Sequence, residues 1–283
     1  MLQFQLFKIR IQRPGQLSLF DDPARSARDI ILDVINSKPS AQLRRGHTWH
    51  IGNIEELDSD SIYFALGRTT IAKVEMYDEE AGNFVNQEFD TAPYTHAFLD
   101  LGLQVVAIAA KAQLAPTVPG IARQLERLLN SSTILLQADA QIGVTPLNDP
   151  QDFVTHLRDA FSIEKFAVTF RRPNPWDVER DFHEPFEKFL AEADGDTGKA
   201  VIEGESLKSD PLEKVATSAA ALGDDAEALL RTARGRRPIK KRLRGNPVNF
   251  SADNADDHEA KVGIIQRVKE TYLRVRQQSS SEE

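Results

Sequence analysis

Cysteine is missing from all 283 residues of the chain. Disulfides, thiolate metal sites and cysteine nucleophiles are thereby excluded, and several enzyme classes go with them. No apolar run approaches the roughly 20 residues needed to cross a bilayer. The opening MLQFQLFKIRIQ alternates apolar and polar residues where a signal peptide would carry a continuous apolar core. No membrane partner is expected, and the protein is expected in the cytoplasm. The strings GxxxxGK[ST], GxGxxG, GxSxG and HExxH are absent as well. Nothing therefore signals a phosphate loop, a dinucleotide fold, a serine hydrolase or a zinc protease, and no cofactor is implied.

Charge is present in quantity but unevenly spread. The chain carries 35 basic against 43 acidic residues, a net charge of −8. Between Arg231 and Arg244 it reads RTARGRRPIKKRLR: Arg231, Arg234, Arg236, Arg237, Lys240, Lys241, Arg242 and Arg244, with no acidic residue among them. Asp177 to Glu205 is the opposite, with ten carboxylates and three basic groups. A basic stripe in an acidic chain points to a polyanion, and arginine suits phosphate because its planar fork pairs bidentately. No aromatic residue interleaves the stripe, which favours backbone contact over base stacking. The competing expectation is that the stripe is a solvated loop, or that it folds against the acidic stretch at 177–205.

A second pointer is Gln16-Leu17-Ser18-Leu19-Phe20, between Pro14-Gly15 and Asp21-Asp22-Pro23. The string QLSLF resembles the peptide by which many bacterial DNA-processing proteins dock on the replication sliding clamp. That resemblance covers five residues. It implies that Leu19 and Phe20, with Leu17 beside them, fill an apolar pocket on the clamp and that Gln16 adds hydrogen bonds. Flanking turn residues would hold such anchors outside regular structure, where each buried Leu or Phe supplies roughly 1.5–3 kcal/mol. The bland alternative is that these apolar groups tuck into the protein's own core.

The patterning along the chain divides it in two. Residues 2–12 are strand-like, and Ala24 to Asn36 places Ala27, Ile31, Val34 and Ile35 on one helical face. Strand-like runs follow at His47–Ile54, Ser61–Thr70, Ala72–Tyr77, Asn83–Phe89, Tyr94–Leu99 and Gln104–Ala110, which predict an antiparallel meander. A helix is expected over Thr117–Asn130, and Ala138–Pro150, rich in turn residues, reads as a boundary. Beyond it the pattern predicts a helix at Asp152–Ala160, a strand at Ile163–Phe170, a helix at Val178–Ala193 and a strand at Ala200–Glu205. There follow a largely helical Asp210–Ala233 broken near Gly223, a strand at Ile239–Phe250, a helix at His258–Arg276 and a disordered tail. The fold class is thus mixed α+β and α/β: an antiparallel β-rich N-terminal half at 1–140 and an alternating β/α C-terminal half at 150–277 that carries the stripe.

Weaker groupings hint at catalysis. His47 and His50 point to opposite faces of a strand, against joint metal ligation. His183 and Glu187 share a helical face, beside Asp181 and Glu184, with no partner histidine evident. Asp194-Gly195-Asp196-Thr197-Gly198 with Glu205 departs from a calcium loop at Gly198 and Lys199. Arg171, Arg172 and Trp176, and Arg44 and Arg45 around Trp49, are further basic-aromatic clusters. These readings converge on a cytoplasmic bacterial nucleic-acid-binding protein, with DNA favoured over RNA and the sliding clamp as a second partner. An accessory or sensor role in DNA transactions or anti-phage defence suits it, by analogy with non-catalytic subunits. The alternatives are a metal-dependent nuclease or toxin-like effector, and a structural protein-interaction subunit; homo-oligomerisation is left open.

Overall fold

The structure, a computed structural model, describes residues 1–12, 26–44, 47–171, 189–190, 192–193, 195, 197–243 and 245–277. In chain order its elements are β1 (Leu2–Gln12), α1 (Ala27–Asn36), β2 (Ser40–Arg44), β3 (His47–Glu56), β4 (Ser61–Asp78), β5 (Asn83–Thr91), β6 (Tyr94–Asp100) and β7 (Val105–Ala109). Next come α2 (Val118–Asn130), α3 (Thr133–Gln137), β8 (Gln141–Pro146), α4 (Gln151–Arg158), β9 (Ser162–Arg171) and β10 (Thr197–Glu203). The last are α5 (Ser209–Leu222), β11 (Ala226–Arg231), β12 (Ile239–Arg242), β13 (Asn249–Ala252) and α6 (His258–Gln277). No helix among the described residues is long and apolar enough to cross a membrane.

Two antiparallel sheets organise these elements. The first runs β13-β1-β7-β6-β4-β3-β2, with β8 paired to the second half of β1 and β5 to the second half of β4. It is the expected meander of the N-terminal half, and helices cover both of its faces. Phe7, Ile9 and Ile11 of β1 pack towards α1, α2 and α3, whereas Phe4 and Leu6 pack with Ile264, Ile265, Val268 and Tyr272 of α6. A strand buried on both faces has no reason to alternate, which is why β1 turns apolar on each side. Each large apolar side chain that α6 buries contributes about 1.5–3 kcal/mol.

The second sheet runs β10-β9-β11-β12, with α4 and α5 on one face. Phe153 and Leu157 of α4 and Leu212, Ala216 and Ala219 of α5 cover Phe166, Val168, Ala228 and Leu230. The small residues of α5 let the helix lie close to the sheet. The chain then returns to the first sheet through β13 and α6. Three elements C-terminal to residue 140, namely β8, β13 and α6, therefore belong to the first layer.

Several expected elements differ. Asp210–Ala233 is helical only to Leu222; Gly223 takes a left-handed φ of 70° and caps the helix, and Ala226–Arg231 is a strand. Ala226, Ala228 and Leu230 are buried and alternate with half-buried Glu227, Leu229 and Arg231, so period-2 burial overrides the helix propensity of EALLR. Ile239–Phe250 is two strands in two different sheets. The link between them is anchored by the buried Leu243, whose N–H donates to the Ala226 carbonyl at 2.7 Å, and by an Asn148–Pro247 bridge. Conversely, Ser61–Thr70 and Ala72–Tyr77 merge into one long strand, whose far half forms a ribbon with β5.

Candidate functional site

The basic stripe folds as the β11–β12 hairpin at the edge of the second sheet. Register sorts its side chains. Lys241 lies opposite Ala228, on the helix-covered face, and its Nζ is 3.0 Å from His156 Nε2 of α4. Lys240 and Arg242 flank the opposite side, where Glu227 Oε2 is 2.6 Å from Lys240 Nζ and 3.8 Å from Arg242 Nε. Lys199 of β10 reaches the other Glu227 oxygen at 2.7 Å. Hydrogen bonds from Lys199 and Lys240 hold the Glu227 carboxyl at about 2, against the upward push of burial. Arg231 pairs with Glu164 and also donates to the Arg236 carbonyl at 2.8 Å, closing the turn.

The three arginines of the turn are different. Arg234, Arg236 and Arg237 are exposed, and among the described residues none of their guanidinium groups has a hydrogen-bond or ion-pair partner. Gly235 between them has a φ of 78°, the left-handed value that glycine adopts without strain. The stripe is thus part-neutralised at its base and free at its tip. Its counterions Glu164 and Glu227 lie outside the acidic stretch at 177–205, most of whose carboxylates fall outside the described residues.

Other sequence-derived residues are placed as follows. Gln16, Leu17, Leu19 and Phe20 lie outside the described residues, as do Arg244, Arg45, Arg172, Trp176, Asp181, His183, Glu184, Glu187, Asp194 and Asp196. His50 is held between hydroxyls, with Nδ1 2.9 Å from Ser40 Oγ and Nε2 3.2 Å from Thr69 Oγ1. Among the described residues no group of three or more His, Asp or Glu is arranged to hold a metal ion.

A second site went unseen in the sequence. A cleft of about 430 Å³ opens on the first layer between β3, β4, β6 and the start of α6. At its back, the Tyr63 hydroxyl lies 3.0 Å from His96 Nδ1. Burial, reinforced by Tyr94, Glu55 and Asp256, pushes the Tyr63 phenol up to about 12, so it stays protonated. Burial pushes the His96 imidazole down, helped by Lys111 and Lys261 and opposed by Asp256. Lys261 stands 4.4 Å over the Tyr63 ring, with its Nζ 2.5 Å from Glu55 Oε2, while His258 Nδ1 is 2.6 Å from Glu55 Oε1. Those two contacts hold the Glu55 carboxyl below its ordinary range, the Lys261 hydrogen bond having the larger effect. Asn53, in the lining, has a φ of 48° where the β3–β4 register shifts between Gly52 and Glu55. Asparagine tolerates that left-handed conformation better than most residues, and bulges of this kind recur beside binding sites. The one legible trace of the cleft was histidine and tyrosine within strand-like runs, a pattern that core strands share.

No protein-family model matches the chain, and no curated protein matches it.

Proposed function

We propose that this protein binds nucleic acid, DNA in the first instance, through the tip of the β11–β12 hairpin. The observation that carries the reading is the trio Arg234, Arg236 and Arg237, exposed on the 232–238 loop and unpartnered among the described residues. Arginine guanidinium groups in that state make charge-assisted, bidentate contacts with phosphate and release counterions as they do so. Lys240, Lys241 and Arg242 add positive potential at the base of the hairpin while Glu227 and His156 hold the two lysines. Base readout is not part of the proposal, because no ring lies among these residues. In an electrophoretic mobility shift at low salt, the wild-type chain retards duplex DNA, and the triple variant R234Q/R236Q/R237Q loses that retardation. Equal retardation by both would remove the hairpin from the reading.

Docking on a replication sliding clamp through Gln16, Leu17, Leu19 and Phe20 belongs to the same proposal and is supported by the sequence string alone. The double variant L19A/F20A is expected to unfold at the wild-type temperature and to lose clamp affinity. Retained affinity, or a general loss of stability, would return those residues to the protein's own core. An accessory or sensor role in DNA transactions, with anti-phage defence the favoured setting, fits a chain that touches both partners.

A further inference from the structure

The cleft at Tyr63 and His96 does not end at its own rim. A second hollow of about 240 Å³ adjoins it, and Tyr94 and His96 line both. The second hollow is the more apolar, with Leu2, Pro93 and Ala110 in its wall, and it carries Lys111. Tyr94 is 47% exposed, and its ring stands edge-on to His96, with centroids 5.7 Å apart at 72°. An exposed ring between two hollows is a stacking platform, and base-on-aromatic stacking is worth roughly 1–3 kcal/mol.

The polar groups around the platform fall into two kinds. Some are already satisfied: Lys261 by Glu55 and the Tyr63 ring, and Tyr63 with His96 Nδ1 by each other. Others make no hydrogen bond or ion pair among the described residues and face solvent or the hollows, namely the Asn53 carboxamide, the Asp256 carboxylate, His96 Nε2 and the Lys111 ammonium. On the larger hollow the exposed, unpaired set mixes an acceptor-only carboxylate with a carboxamide that both donates and accepts. On the smaller hollow it is a cation. A planar heterocycle with an exocyclic amine matches the first set, since a carboxylate accepts from an amine but repels a carbonyl oxygen. An anion matches the second. In the smaller hollow Lys111 repels a simple organic cation, so an ammonium ligand could meet Asp256 but could not span both hollows.

We propose that the two hollows bind one nucleotide unit, with the base stacked on Tyr94 and edged by Asp256 and Asn53, and the phosphate towards Lys111. Cytosine, adenine and guanine carry the required amine; uracil and thymine do not. The site lies apart from the hairpin and goes beyond the reading given above. The unit is either a free mononucleotide or one residue of a single strand, the same chemistry from two sources.

Isothermal titration of the full chain with CMP, UMP, cytidine and inorganic phosphate tests this. CMP is expected to bind at least tenfold more tightly than UMP, and inorganic phosphate alone is expected to give no heat. Tyr94→Ala lowers CMP affinity at least tenfold, Tyr94→Phe restores it, and Lys111→Gln brings CMP down to the affinity of cytidine. Near-ultraviolet circular dichroism of each variant checks that the fold is kept. Absence of heat with CMP, AMP and GMP at millimolar concentration, or CMP binding unchanged in both Tyr94→Ala and Lys111→Gln, would overturn the proposal. The source is separated by competition in the R234Q/R236Q/R237Q background. A short cytosine oligonucleotide that displaces CMP assigns the site to a strand, and one that does not assigns it to the free nucleotide. Because that background lacks the hairpin arginines, failure of hairpin binding and failure of the cleft are scored independently.

Discussion

Arg10 of the first strand and Asp224 just past α5 form a buried ion pair, with Nη1 3.1 Å from Oδ1, that ties the first layer to the second. The same guanidinium donates to the Leu222 carbonyl at the end of α5. Both groups are taken from water, so the pair is worth little net, but Arg10 left without Asp224 is a buried uncompensated charge. Asp224→Ala is therefore expected to cost about 3–5 kcal/mol in urea unfolding, and the paired replacement Arg10→Met with Asp224→Leu distinctly less than that single change. A D224A cost below about 1 kcal/mol would show that the layers do not depend on the pair.

Gly223 is the hinge that delivers Asp224. A Cβ there would stand 2.6 Å from Thr145 Oγ1, in addition to the left-handed φ of 70°. The conformational penalty alone is about 1–2 kcal/mol. Gly223→Ala should lower stability by that amount or more in thermal unfolding, whereas the same change at Gly263, where a Cβ meets nothing within 4 Å inside a helix, should stabilise slightly.

Glu227 sets a pH window. Its carboxyl falls from an ordinary 4.5 to about 2 in the folded chain, because Lys199 and Lys240 bond to it. A folded-state value below the unfolded one means a contribution that is fully present above pH 4.5 and is lost as the pH drops through about 2. The stability gap between the wild type and Glu227→Gln should therefore be constant from pH 7 to pH 5 and shrink between pH 4.5 and pH 2. Removing the carboxylate also frees Lys199 and Lys240, so Glu227→Gln should bind duplex DNA more tightly at neutral pH, as fluorescence anisotropy would record.

Parts of this architecture were legible because local chemistry and tertiary context agree. For α2, Thr117 caps the helix by accepting from the Gly120 N–H, and Ile121, Leu125, Leu128 and Leu129 bury one face. The strands β3 to β7 follow their apolar runs to within about two residues at most ends. Strand β11 was not legible, since Glu227, Ala228, Leu229 and Leu230 are good helix formers and only the sheet beneath them decides otherwise. Nor was β8, whose Gly143 and Pro146 read as a boundary although Ile142 and Val144 pack against β1. The hairpin's charge was plain in the sequence, but its division into paired base and free tip depends on Glu164 and Glu227, which come from other strands or alternate with the core. The cleft needs Tyr63, His96 and Lys261 from three elements, and no spacing in the sequence announces that meeting.

The central claim is that the hairpin tip, and not the whole stripe, meets phosphate. The slope of log binding constant against log salt on duplex DNA tests it most directly. Three free arginines predict a slope of about −2.7 for the wild type and near zero for R234Q/R236Q/R237Q. A slope of −5 or steeper that survives in the triple variant, or no binding at low salt, would contradict it.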